Sequence, residues 1–181
     1  MITITLGKIE AHDPCKSGWV KLLAAKGGDK ADMSAEFAVT EILDLNDLDD
    51  TLWALQCLPE HNNLWRKYAV WCARQVQHLM TPRTITALNV VWRYSETHAT
   101  DAELSAAMAA MAAARGESDA ESYAAMAAMA AARGATSYAA GYAARAARYV
   151  ARDAQKTKLV QILTAGVWVD DDSAGKGGEH D

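Results

Sequence analysis

Residues 100–116 read TDAELSAAMAAMAAARG and residues 118–134 read SDAESYAAMAAMAAARG, one motif repeated at an offset of 18 positions. A degenerate third copy, SYAAGYAARAARYVAR, occupies 137–152 at an offset of 19, with AARAAR where the others have AAMAAM. Alanine is the strongest helix former, and its methyl side chain lets helices approach closely. TDAE at 100–103 and SDAE at 118–121 have the S/T-x-x-E form of a capping box. Gly116 and Gly134 stand where a helix ends on a left-handed residue. Eighteen residues are also five turns of 3.6, so one continuous helix would present each copy on the same face. The two caps and two glycines favour the other reading, separate helices of roughly 14 residues. From the start of the third copy onward nothing in the pattern breaks the helix, so the last helix is expected to run from Thr136 or Ser137 to about Leu163.

The N-terminal half has a more varied pattern. MITITLGKIE alternates apolar and polar residues and predicts a short strand. SGWVKLLAAKGG at 17–28 predicts a short helix ended by Gly27 and Gly28, and 29–34 a loop. From Ala35 onward the pattern reads as helical. Phe37, Ile42, Leu43 and Leu45 mark one helix, and Asn46 or Asp47 caps the next, LDDTLWALQCLP, which Pro59 stops. Trp65, Tyr68, Cys72, Val76 and Leu79 recur at spacings of three and four, predicting an amphipathic helix over about 63–80. Thr81 before Pro82 is the N-cap and first residue of another, which turns Ile85, Leu88, Val91 and Trp92 to the core.

The expected fold is therefore mainly α, a multi-helix bundle or short helical-repeat array with a short N-terminal β-strand. Its 181 residues suit one helical domain over 1–166, comprising an N-terminal segment (1–34), a helical core (35–98) and the alanine repeats (100–165). Residues 167–181, with DDDSAGKGGEHD, read as a flexible acidic tail. Apolar residues at 51% support a packed core, and a net charge of −5 argues against non-specific nucleic-acid binding. No apolar run approaches a membrane span or a signal peptide, so a cytoplasmic protein is expected. Cys15, Cys57 and Cys72, odd in number and far apart, read as reduced thiols, two of them in the core.

Chemical motifs are sparse. The chain holds no GxGxxG, GxxxxGK(S/T), HExxH or GxSxG, so neither an enzyme nor a cofactor is expected. His12, Asp13 and Cys15 place three metal-competent donors together, but without the second cluster a metal cage needs. Arg74 and His78, an i, i+4 pair on the expected long helix, lack a nucleophile or carboxylate beside them. Asp47, Asp49 and Asp50 cluster where a helix dipole favours carboxylates. The basic stripe is more suggestive. The stripe Leu104, Met108, Met111, Arg115 of the first copy becomes Ser122, Met126, Met129, Arg133 in the second and Gly141, Arg145, Arg148, Arg152 in the third. Tyr138, Tyr142 and Tyr149 lie alongside. Between Arg133 and Lys158 six basic residues meet one acid, Asp153. Such a surface suits a phosphate-bearing or acidic partner, with Arg forming paired contacts and Tyr stacking. The simpler readings are tyrosines packed in the bundle with arginine stems passing over them, or an acidic tail at Asp170, Asp171 and Asp172 that screens the charge. For the Met pairs, filling gaps between alanine-lined helices is the simpler reading.

LDDTLWALQCLP (48–59) and CARQVQHLMTPRTITALNVVWRY (72–94), followed by ATDAELSAA (99–107) and the alanine-rich stretch, carry a family resemblance over roughly 45–165. They resemble Imm-5-like immunity proteins, small alanine-rich proteins of bacteria, phages and prophages. The likeness rests on the DD-x-LW-x-L-x-x-LP and CAR-x-V-x-HLM-x-PR elements. This chain departs from it with Thr81 before the Pro-Arg pair and with Val91, Trp92 and Arg93 where Ala-Glu-Arg is common. The resemblance implies a non-enzymatic protein of inter-bacterial or phage conflict, which binds and neutralises a protein toxin or defence effector. On the matching positions it implies Asp49, Asp50, Trp53, Arg74, His78 and Arg83 as binding residues. The residues themselves leave two alternatives: a counter-defence sponge for a nucleotide-like anion, through Arg133, Tyr142, Arg145, Arg148 and Arg152, or a structural protein whose Ala/Met faces close into a homo-oligomer.

Overall fold

The computed structural model describes residues 1–112, 119–134, 136–146 and 152–170. Among them the fold is mainly α-helical, with ten helices and a small two-stranded sheet. β1 (Thr3–Thr5) leads into α1 (Leu6–Glu10) and α2 (Lys16–Ala25). β2 (Glu36–Ala38) returns antiparallel to β1 with Ile4 opposite Phe37, both buried. α3 (Thr40–Leu45) and α4 (Leu48–Ala54) follow, then α5 (Asn62–Arg74) and α6 (Pro82–Ser95). The alanine repeats form α7 (Asp101–Ala112), α8 (Asp119–Ala132) and α9 (Thr136–Ala146), and α10 (Arg152–Ala165) closes the bundle. Among the described residues no helix is long and apolar enough to cross a membrane.

α5 is the central element, packed against α6, α8 and α9. Its inner face is Trp65, Tyr68, Ala69, Cys72, Ala73, as its periodicity predicts. α8 and α9 pack along each other, and Ala124, Ala127, Ala128 and Ala131 of the one and Ala139, Ala140 and Ala143 of the other are fully buried. The methionines divide: Met111 is buried, Met108 and Met129 are half-buried, and Met126 is 40% exposed. Gap-filling describes Met111 and, in part, Met108 and Met129, which pack against the core, but not Met126.

The capping signals resolve into geometry. The Thr84 N–H donates to Thr81 Oγ1 at 3.2 Å. At the first repeat the box closes both ways: Thr100 N–H donates to Glu103 Oε2 (2.8 Å) and Glu103 N–H to Thr100 Oγ1 (3.2 Å). Gly134 ends α8 at φ 73°, the left-handed turn a Cβ would strain. Ser118, Arg115 and Gly116, assigned to the second cap and first stop, lie outside the described residues.

Three expectations are corrected. The helical reading from Ala35 misses β2, whose three residues have no strand signal of their own and are extended because β1 pairs with them. The helix expected over 63–80 ends at Arg74; a tight turn through Gln75 and Val76 leads to a 3₁₀ turn at Gln77–Leu79. A helix running unbroken from 136 to 163 is excluded by Gln155, whose Nε2 donates to Ala140 O at 3.0 Å. Fifteen residues along one helix would separate those groups by about 22 Å. Residues 167–170 lie on the bundle through Trp168 against Trp92 and Val169 O against Lys158, while 171–181 are outside the described residues. The residue before β1 is joined to the end of α10, with the Ile2 N–H donating to Leu163 O at 2.8 Å.

Candidate functional site

α2 and α4 enclose a surface cavity of about 240 Å³. Both are short, and their relative placement rests on one glycine. A Cβ at Gly18 of α2 would come within 2.5 Å of Asp50 Oδ2 and 3.0 Å of Asn46 Nδ2, so only glycine admits the carboxylate there. Asp47 is the N-cap of α4, accepting from the Asp50 N–H at 2.8 Å. That cap fixes the first helical turn and directs the next two carboxylates.

Asp49 and Asp50 then diverge in role. Asp49 is 72% exposed at its side chain and forms an ion pair with Arg152 at the start of α10, a contact spanning 103 residues of sequence. A cation at a helix N-terminus opposes the dipole, and Asp49 offsets that. Asp50 is half-buried. Its Oδ2 accepts from Asn46 Nδ2 at 2.8 Å and its Oδ1 from the Cys15 thiol at 3.7 Å. Asn46 also donates to Gly18 O at 3.0 Å, tying the loop before α4 to α2. Asn46 Oδ1 is buried and, among the described residues, has no hydrogen-bond partner. Cys15 caps α2 through Sγ, which accepts from the Gly18 N–H at 3.3 Å. Trp19 and Trp53, both half-buried, line the same cavity with Ile9, Leu22 and Ile42.

The basic residues do not form one stripe. Arg152 turns inward to Asp49, and its neighbours Tyr68 and Cys72 belong to the core. Burial pushes the Cys72 thiol up to about 12 and raises the Tyr68 phenol well above its usual value; the Tyr68 hydroxyl donates to Gln155 O at 2.9 Å. Arg145 stays on the surface, its guanidinium 6.0 Å from the Tyr142 ring centroid and 5.9 Å from that of Tyr123. Tyr142 stacks with Tyr123 at 6.4 Å and meets exposed Tyr138 at 6.3 Å. Arg133 is exposed at the end of α8. Arg148 and Tyr149 lie outside the described residues.

Arg74, His78 and Arg83 are also separated. Because α5 stops at Arg74, the i, i+4 relation with His78 is lost. Arg74 lies over Trp92 at 4.4 Å and donates to Asn89 Oδ1 at 3.0 Å, and burial lowers its pKa. His78 and Arg83 are exposed at the α5–α6 corner, and among the described residues neither forms an ion pair. His12 Nδ1 is engaged with Lys8 O at 2.9 Å, turned to its own helix rather than toward Cys15.

Two groups escape a reading of sequence alone. Cys15, Gly18 and Asn46 complete the cavity, and only the i, i+4 spacing of Asn46 to Asp50 hints at it. A second cluster joins Trp71, Trp92 and Trp168 around Lys67 and Lys158. Trp92 and Trp168 meet edge to face at 5.3 Å, and Lys158 donates to Val169 O. Lys67 also pairs with Glu96 at 2.7 Å, so this cluster acts as a clamp that holds 167–170 to the bundle. No family model, curated protein or solved structure matches this chain.

Proposed function

We propose that this chain is a cytoplasmic, non-enzymatic binding protein of bacterial or phage conflict, which neutralises a toxin or defence effector by direct contact. One observation carries the reading: Asp49, Asp50 and Trp53, three of the six residues that the immunity-protein resemblance implies, line a single surface cavity, apart from Arg74, His78 and Arg83. An acidic rim with flanking indoles is the kind of surface that captures a basic patch on a partner. The cavity lining carries no arginine or lysine, which weighs against its holding a nucleotide-like anion.

The test is capture of host proteins by the purified chain, with bound proteins and small molecules identified by mass spectrometry. A stoichiometric protein partner is expected for the wild type, and Trp53→Ala should release it while melting temperature stays within a few degrees. A bound phosphate compound without a protein would overturn the reading in favour of the anion sponge. That second reading has its own support, the Arg145 guanidinium above the Tyr123–Tyr142 stack, which suits a planar anion. It predicts that Arg145→Glu, rather than Trp53→Ala, abolishes binding.

A further inference from the structure

We infer that the α2–α4 cavity is a binding site for an organic cation, a guanidinium or primary ammonium group carried on an apolar stem. The inference rests on the proposed function for its biological context and adds the chemistry of what enters. Its physical basis is the division of labour between two adjacent carboxylates. Asp49 already has a cation in Arg152. Asp50, drawn half out of water into the cavity, is met only by the neutral Asn46 amide and Cys15 thiol. Among the described residues no cation pairs with it. A partly desolvated carboxylate satisfied by neutral donors alone retains a strong preference for positive charge.

The rest of the lining selects the kind of cation. Trp19 and Trp53 offer indole rings, the best aromatic partners for a guanidinium or ammonium group. Ile9, Leu22, Ile42 and Ala54 supply apolar contact for a methylene stem, which a hydrated metal ion would not use. Asn46 Oδ1, buried and unpaired in the same lining, provides a second acceptor for an entering N–H. The volume of about 240 Å³ is below the roughly 300–1,000 Å³ that houses drug-sized ligands. It suits one side-chain-sized group. Gly18 is part of the same construction, since any Cβ there would displace the Asp50 carboxylate.

The test titrates the full-length chain with three probes, followed by tryptophan fluorescence and calorimetry. Agmatine presents a free guanidinium, N-acetyl-arginine methylamide presents the same group in a peptide frame, and N-acetyl-citrulline methylamide is the neutral counterpart. Saturable one-to-one binding is expected for a guanidinium probe, weaker by about tenfold or more for citrulline. Asp50→Asn should weaken guanidinium binding by a similar factor, whereas Asp44→Asn, an exposed carboxylate outside the cavity lining, should change it by less than about twofold. Tighter binding of agmatine would assign a free amine as ligand, and tighter binding of the peptide-framed probe a partner's side chain; either supports the site. Citrulline binding as tightly as arginine, undiminished binding to Asp50→Asn, or no saturation by either cation would overturn it. Should Asp50→Asn lose helicity, raised salt on the wild type replaces it, since only a carboxylate-held cation weakens with ionic strength. Capture of a protein partner that ignores Asp50→Asn would sink the site and leave the function; guanidinium binding without a protein partner would do the reverse.

Discussion

Gly18 and Asp49 show how much of this fold hangs on single side chains, or on the absence of one. Gly18→Ala places a methyl group 2.5 Å from Asp50 Oδ2 and 3.0 Å from Asn46 Nδ2, and both must shift together because they are hydrogen-bonded to each other. The expected cost is about 1–3 kcal/mol, the usual range for overpacking, read as a lower urea midpoint at unchanged m-value. Asp49→Asn removes the partner of Arg152, a residue whose Nη1 is already buried without a hydrogen bond. Because the Asp49 side chain is largely exposed, the loss is expected at about 1 kcal/mol or less, and it should vanish in an Arg152→Met background. An equal loss in both backgrounds would mean that the pair contributes nothing. The carboxylates were visible in the sequence as a helix-start cluster. Which would be paired internally and which left facing the cavity was not, since Arg152 lies 103 positions away.

At the scale of elements, the alanine repeats read most clearly and mislead most easily. Their caps are local hydrogen bonds between residues three apart, so Thr100, Thr81 and Gly134 take the places the sequence assigns them. Their buried faces are another matter. A helix of alanine all round carries no apolar stripe, and its orientation is set by its neighbours. The Met wheel therefore points to Met126, which is 40% exposed, while Ala127 and Ala128 are fully buried on a helix packed against α5 and α9. Ala127→Leu is expected to cost about 1–3 kcal/mol, because the added atoms have no room between two closely packed helices. Met126→Leu, on the other side, should leave the melting temperature nearly unchanged. A neutral Ala127→Leu would show that α8 and α9 are looser than described. The failures elsewhere have the same origin. β2 is three residues held extended by β1, and α5 stops at Arg74 although Val76 and Leu79 continue its periodicity. The pattern at 76–79 is met instead by a 3₁₀ turn that still buries Val76.

For the whole molecule, the deepest polar groups couple stability to alkaline pH. Burial pushes the Cys57 thiol up to about 11 and the Cys72 thiol to about 12, and raises the Tyr68 phenol as well. Each keeps its proton in the folded chain at a pH where the unfolded chain has lost it. These contributions are fully present below about pH 9 and fall away as pH rises toward 11 and beyond. Unfolding free energy should therefore decline steeply above pH 9, and Cys57→Ser with Cys72→Ser should flatten that decline while lowering stability at neutral pH. Native thiol titration should find Cys15 reactive and the other two protected until the core opens. What the sequence determined by itself was the helical class, the caps at Thr81 and Thr100, the stop at Gly134, and the sparseness of catalytic motifs, because these depend on propensity and on contacts between residues a few positions apart. Tertiary structure alone decided the pairing of β1 with β2, the reversal between α9 and α10, and the binding of 167–170 by the tryptophan–lysine cluster. It also separated Asp49 from Asp50 in role, since a carboxylate's partner is chosen by distance in space, and Arg152, Cys15 and Gly18 reach α4 only once the chain has folded back on itself.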